Sequence, residues 1–399
     1  MKEGGPSVAA KAMAEALVGL GVQVTVATTR LQDSGVAGEE NAGSGHGEVA
    51  AVSDRGYNIT CFRREFEPYK VSFGLTRWLR ENLTKFDLVH IHALFSFSST
   101  MAARIARQHS VPYVVRPLGV LNRWGMENRR PILKRVSFRL VELPILLNSA
   151  AIHYTSDAER AEAASLDLRL AKHRSATISL PIERAEPGDA EVFRARYPAL
   201  KKHRVILFLS RIHPMKGLEL LMDAFGMLRE KNKDVALVIA GHGEAAYVRE
   251  LRERALRLQH GARSLEPEEE NKEREEDYGI IWTGHLSGEM KGAALAAADV
   301  FVLPSASENF GIAAAESLAA GIPTIVSEEV ALSSDIRRYD AGVVVKRDVQ
   351  QLAGAISDSL SNEERAAGLA ANGRRLAEER YSPEAVGRAL HELYQEIIT

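Results

Sequence analysis

Two glutamates frame the segment Ser305-Ala306-Ser307-Glu308-Asn309-Phe310-Gly311-Ile312-Ala313-Ala314-Ala315-Glu316. Carboxylates at this spacing could form an acid and base couple, or could both accept hydrogen bonds from a hydroxyl-rich ligand. The neighbouring elements determine what each can reach. Asp299–Pro304 reads as a short buried strand, and Ile312–Ala320 as a helix stopped by Gly321, with Pro323 beyond as a breaker. Glu308 then lies in the loop at the strand's carboxyl end, and Glu316 on the second turn of the helix. Between them, the amides around Phe310, Gly311 and Ile312 are the unpaired donors of a helix N-terminus, a seat for phosphate. Such a site suits a phosphorylated, hydroxyl-rich ligand such as a nucleotide sugar.

Arg211-Ile212-His213-Pro214-Met215-Lys216-Gly217 follows the expected strand Val205–Ser210 and feeds the helix Leu218–Glu230. Arginine offers a fixed donor fork and lysine a compact point charge, a pair that suits a diphosphate. An ordinary basic loop would look the same in isolation; the Glu308 segment favours the diphosphate reading. Gly241 and Gly243, after another strand, permit close approach of a ligand to the backbone. His285 and Leu286, at the next strand end, could line a nucleobase, while Ser287 is more simply a helix cap. His90 and His92 alternate on one strand and share a face, but two histidines fall short of a metal site. His90 reads as a satisfied buried histidine, and His92 as the one placed to reach a ligand cleft. Ser156 and Glu159 form a capping box, a structural role. There is no strand-end Asp-x-Asp pair and no cysteine or histidine cluster. Charge on a departing diphosphate would be met by Arg211, Lys216 and helix amides, with no metal ion and no cofactor expected.

At 399 residues the chain exceeds one ordinary core, so two domains are expected. A net charge of -2 leaves no electrostatic footprint for nucleic acid. The single cysteine, Cys61, rules out an intramolecular disulfide and fits a reducing compartment. The opening residues carry no apolar leader, and no run approaches the roughly 20 apolar residues of a membrane span. A cytoplasmic protein is expected, with peripheral attachment to the inner face of a membrane left open.

Strand and helix patterns alternate throughout, which argues for an α/β chain of two doubly wound, Rossmann-like domains facing across a cleft. Strands are expected at Val22–Thr28, Leu88–Ile91, Tyr113–Val115 and Ala151–Tyr154, then Val205–Ser210, Ala236–Ala240, Ile280–Thr283, Val300–Leu303, Thr324–Val326 and Val343–Val345. The break near Pro181–Pro187 divides residues 1–182 from 183–382. A last helix, 383–399, has an apolar stripe of Val386, Leu390, Leu393, Tyr394 and Ile397, with which it could cross back onto the first domain. Leu31–Val49 reads as a surface loop and Glu266–Asp277 as a solvated acidic connection.

With these residues in place the chain resembles the retaining family 4 glycosyltransferases of the GT-B fold. The resemblance rests on Glu308-x7-Glu316 around Asn309-Phe310-Gly311 and on Arg211-x4-Lys216-Gly217. It also rests on Gly4-Gly5-Pro6-Ser7, on Asp87-Leu88-Val89-His90-Ile91-His92 and on the closing helix with Tyr394. It implies that Arg211 and Lys216 hold the donor diphosphate, that Glu316 binds the ribose and that Glu308 binds the transferred sugar. It further implies retention by front-face attack, a glycan or lipid-linked acceptor and a role in surface or extracellular polysaccharide assembly. Two departures stand out. Only Met1-Lys2-Glu3 precede the Gly4-Gly5 loop, where relatives have a strand, so an N-terminally shortened chain or a misassigned start codon is expected. Leu118, in Val115-Arg116-Pro117-Leu118-Gly119, replaces a polar residue of many relatives, and Arg116 or His92 could supply the missing contact. A nucleotide-sugar epimerase of the same fold, or a truncated homologue that binds nucleotide without turnover, are the alternatives.

Overall fold

The computed structural model describes residues 5–30, 48–52, 56–67, 69–121, 126, 131–182, 188–260 and 279–399. Gly4, the acidic run 266–277 and most of the segment 31–49 lie outside them. The chain divides into two compact units, Met1–Pro181 with Pro383–Thr399, and Ile182–Ser382.

The first unit holds two sheets. Strands β1 (Thr25–Arg30), β2 (Glu48–Val52) and β3 (Asn58–Arg63) form one, in the order β1-β3-β2, with β2 antiparallel to β3. Strands β4 (Val89–His92), β5 (Tyr113–Arg116), β6 (Ala151–Tyr154) and β7 (Ser175–Thr177) form the other, all parallel and in chain order. Val49, expected in a surface loop, is instead part of β2, and β3 and β7 were not expected at all. The first strand starts at Thr25, not Val22, because Val22 and Val24 pack into the core beside Leu17 ahead of it. Among the described residues, β1 and β4 each keep one edge with no partner strand.

The closing helix Pro383–Ile398 belongs to this unit, where Val386, Leu390, Leu393 and Tyr394 share a core with Met13, Leu17, Val114 and Ile178. It lies close against the helix Gly5–Val18: a Cβ placed on Gly387 would sit 3.0 Å from that of Ala16. A larger side chain there must push the helices apart. Gly387→Val should therefore destabilise the fold by about 1–3 kcal/mol, seen as a lower urea midpoint. Gly354→Val, on a helix where nothing lies within 4 Å of the added carbon, is the control and should not lower the midpoint.

The second unit is built on one parallel sheet of β8 (Arg204–Leu209), β9 (Val235–Ala240), β10 (Ile280–Gly284), β11 (Val300–Leu303), β12 (Thr324–Ser327) and β13 (Val343–Val345). Every residue of β9, β11 and β12 is buried, as expected of strands covered on both faces. The order is β10-β9-β8-β11-β12-β13, so the direction of winding reverses between β8 and β11. The loops after these two strands leave side by side, and ligands of open α/β sheets bind at such a reversal.

Candidate active site

The loop after β8 contains a short turn, Pro214–Lys216, whose Met215 amide donates to His213 Nδ1. It ends at Gly217 (φ 70°), which starts the helix Leu218–Lys231. Only glycine fits there, because a Cβ would lie 2.2 Å from the carbonyl oxygen of Pro304 in the loop after β11. The two loops are further joined by the Ala306 amide donating to the Met215 carbonyl at 2.7 Å. The Glu308 amide donates to Glu329 O at 3.2 Å, and Glu308 O accepts from the Ala331 amide at 3.0 Å. Lys216, almost fully buried, forms a short ion pair with Glu308 across the junction. The cation and the first glutamate expected from sequence are thus brought into contact.

Gly311 (φ 92°) turns the chain into the helix Ile312–Ala320, whose first turn has no side-chain cap, leaving its amides without a partner from that source. Phe310 is buried with its ring 5.3 Å from that of Tyr381, so its side chain serves packing and its backbone is the part available to a ligand. Glu316, on the second turn, pairs with Lys291 of the helix Gly288–Ala297. Nothing in the spacing of the sequence singles out Lys291, because the contact depends on how two helices pack. Arg211 and His285 are exposed, Asn309, Ile312 and Leu286 half-buried. Gly241 and Gly243 also have a packing use that the sequence did not suggest. A Cβ at Gly241 would lie 1.9 Å from Ser210 O, and one at Gly243 2.2 Å from Ile212 O, so the missing side chains let adjoining strand-end loops touch.

In the first unit, His92 and Arg116 belong to a recessed polar cluster. His90 Nδ1 and Tyr394 Oη lie 2.6 Å apart, and His153 Nε2 donates to Ile178 O at 2.7 Å. The His90 and His92 rings are 4.4 Å apart. Burial, followed by the charge of Arg116, holds His92 down at about 3, and burial likewise puts His90 and His153 well below the usual histidine range. Arg116 is not offered to solvent: its guanidinium is enclosed against Met13 Sδ at 3.1 Å, and burial brings it down to about 10. Neither Arg116 Nε nor His92 Nδ1 has a hydrogen-bond partner among the described residues. Leu118 and Gly119 both have positive φ, and Glu159 holds that turn by accepting from the Gly119 amide while also accepting from that of Thr155 at 2.7 Å. Ser156 caps its helix as expected. Gly5 is the first residue of the helix Gly5–Val18. Among the described residues no group of three or more His, Cys, Asp or Glu could hold a metal ion, and no helix is long and apolar enough to cross a membrane.

A winding reversal that holds cations, carboxylates and open amides suits a phosphorylated, hydroxyl-rich ligand, and the comparisons with known proteins give the class of protein. Residues 4–177 match the glycosyl transferase 4-like domain, and residues 189–376 match the glycosyl transferases group 1. The uncharacterized glycosyltransferase YqgM of Bacillus subtilis is 25% identical over 84% of this chain and 85% of its own length. A D-inositol 3-phosphate glycosyltransferase of Corynebacterium urealyticum is 26% identical over 99% of this chain and 91% of its own. The crystal structure of Anabaena HepE with UDP and glucose superposes with a TM-score of 0.65 at 16% identity, over 85% of this chain and 86% of that one. The chain belongs to the group 1, family 4 glycosyltransferases, has their two-domain Rossmann-like GT-B fold and uses nucleotide sugars.

The recessed histidines make stability sensitive to acid. Each is neutral in the fold but protonates near 6.5 when unfolded, so the unfolded chain binds more protons below that pH. For His92 the contribution is fully present above 6.5 and is lost as pH falls toward about 3, at about 1.4 kcal/mol per pH unit. Urea unfolding at pH 7 and pH 5 should show a smaller acid loss in His92→Asn than in the parent chain. Equal losses would place His92 in contact with water.

Proposed function

We propose that the chain transfers a sugar from a nucleotide diphosphate sugar to a glycan or lipid-linked hydroxyl acceptor, with retention of configuration and without a metal ion. The observation that carries this reading is the Lys216–Glu308 ion pair at the winding reversal, with Glu316 and an uncapped helix beside it. A diphosphate entering here exchanges partners with the protein. Lys216 turns from Glu308 to the phosphate, joined by Arg211 and the amides of Gly311 and Ile312, and Glu308 is released to accept from the sugar hydroxyls. Glu316 accepts from the ribose hydroxyls, and the backbone around Gly241, Gly243, His285 and Leu286 borders the base.

In the transfer step the bond from the anomeric carbon to the phosphate oxygen breaks, and the bond to the acceptor oxygen forms on the same face. The acceptor's proton passes to the departing phosphate, so neither glutamate acts as a base. The cations carry the charge that develops on the diphosphate, the role a metal ion has elsewhere. HepE, a protein of the same fold crystallised with UDP and glucose, supports a nucleoside diphosphate as the kind of ligand such a fold takes. A cytoplasmic enzyme of surface or extracellular polysaccharide assembly, working at the inner face of a membrane, follows from such an acceptor.

Calorimetry and steady-state kinetics with a panel of nucleotide sugars test the assignment. Glu316→Ala should weaken donor binding by about 10- to 100-fold, the loss of one or more charged hydrogen bonds worth roughly 1.5–3 kcal/mol. Glu308→Ala should mainly lower turnover, and EDTA should leave turnover unchanged. Negligible effects of both substitutions, or abolition by EDTA, would overturn the reading.

A further inference from the structure

The helix Pro131–Ser137 and the widened helical turn Phe138–Glu142 that continues it form the most unusual surface of the first unit. One side is anchored: Phe138 and Leu143 are buried in the core, with Val141 packed against it. The other side exposes Ile132 (78%), Leu133 (59%), Val136 (49%) and Leu140 (73%). At helical spacing these four aliphatic side chains fall on one stripe. Arg135 and Arg139, four residues apart and both exposed, run along its flank. The Arg139 charge also reaches Asp167, whose carboxylate is already engaged by Arg169 at 2.9 Å. Beside it Leu168 is 79% exposed.

Soluble monomers rarely leave several large aliphatic side chains together in water, because each forgoes the free energy of burial. An aliphatic stripe edged by arginines matches the boundary between headgroups and acyl chains, where leucine and isoleucine enter the apolar layer and guanidinium groups meet lipid phosphates. We propose that the 131–140 face is a membrane-docking surface that seats the first unit on an anionic lipid bilayer. The charge favours lipid over a second copy of the chain, since a self-contact through this face would bring arginines against arginines. The docking is monotopic: the stripe lies in the surface plane, and its buried side stays in the protein core. The inference stands apart from the transfer reaction, as no residue of the stripe belongs to the proposed donor site.

Co-sedimentation of the full chain with vesicles of phosphatidylcholine containing phosphatidylglycerol, compared with phosphatidylcholine alone, tests it. Binding is expected to the anionic vesicles and should weaken with salt. Arg135→Ala with Arg139→Ala should reduce partitioning by about thirty-fold, at roughly 1 kcal/mol per arginine. Leu140→Asp should reduce it by about tenfold or more. All these variants should keep the parent's thermal unfolding and nucleotide affinity, because the altered side chains are exposed and remote in sequence from the donor site. Absence of binding to anionic vesicles, or binding that ignores these substitutions, overturns the proposal. Dimerisation in the absence of lipid that Leu140→Asp abolishes, without vesicle binding, also overturns it and assigns the face to a second copy.

Discussion

The reversal of winding between β8 and β11 is the constraint on which the second unit's chemistry depends. Elsewhere in a doubly wound sheet, each strand-end loop turns toward the same face as its neighbour. At the reversal two loops turn apart, and the space between them opens over the strand ends. Here that space is shaped by a glycine that lets one loop touch the other and by hydrogen bonds between their backbones. Lys216 and Glu308 then satisfy each other in the absence of ligand. A buried lysine without an acceptor would be costly, and the glutamate supplies that acceptor. The same logic extends to Glu316, which has Lys291 as its partner. On the proposed function, donor binding is an exchange of ionic partners, with little net charge to bury.

The first unit carries a different burden. Among the described residues Arg116 is enclosed without a direct carboxylate partner in hydrogen-bond contact, and three histidines nearby are held neutral. Glu159 offsets part of that charge, but its oxygens are engaged by two backbone amides. The helices Gly5–Val18 and Pro383–Ile398 cover this cluster, with Met13 on the guanidinium and Tyr394 on His90. The closing helix thus completes a polar interior as well as an apolar one.

Much of the fold was legible because parallel, doubly covered strands have a simple signature: short aliphatic runs at regular spacing between amphipathic helices. Ala151–Tyr154, Val300–Leu303 and Val343–Val345 match to the residue. Glu48–Val52 was hidden because it adjoins a glycine- and serine-rich stretch, and Ser175–Thr177 because three small residues, Ser-Ala-Thr, carry no period. The glutamates and Lys216 could be read since each sits at a strand end or helix start, where local order fixes position. Lys291 could not, because its contact with Glu316 is set by the packing of two helices. Arg116 misled for a related reason: a strand-end arginine looks available until the helices that enclose it are known. The roles of Gly241 and Gly243 were likewise invisible, since the atoms that demand glycine come from a loop some thirty residues earlier in the chain.

The most direct measurement is a crystal structure of this chain with a nucleoside diphosphate sugar bound. The exchange of partners predicts Lys216 Nζ on a phosphate oxygen, Glu308 turned to the sugar hydroxyls and Glu316 on the ribose. A Lys216–Glu308 pair left intact, with the diphosphate held elsewhere, would contradict it.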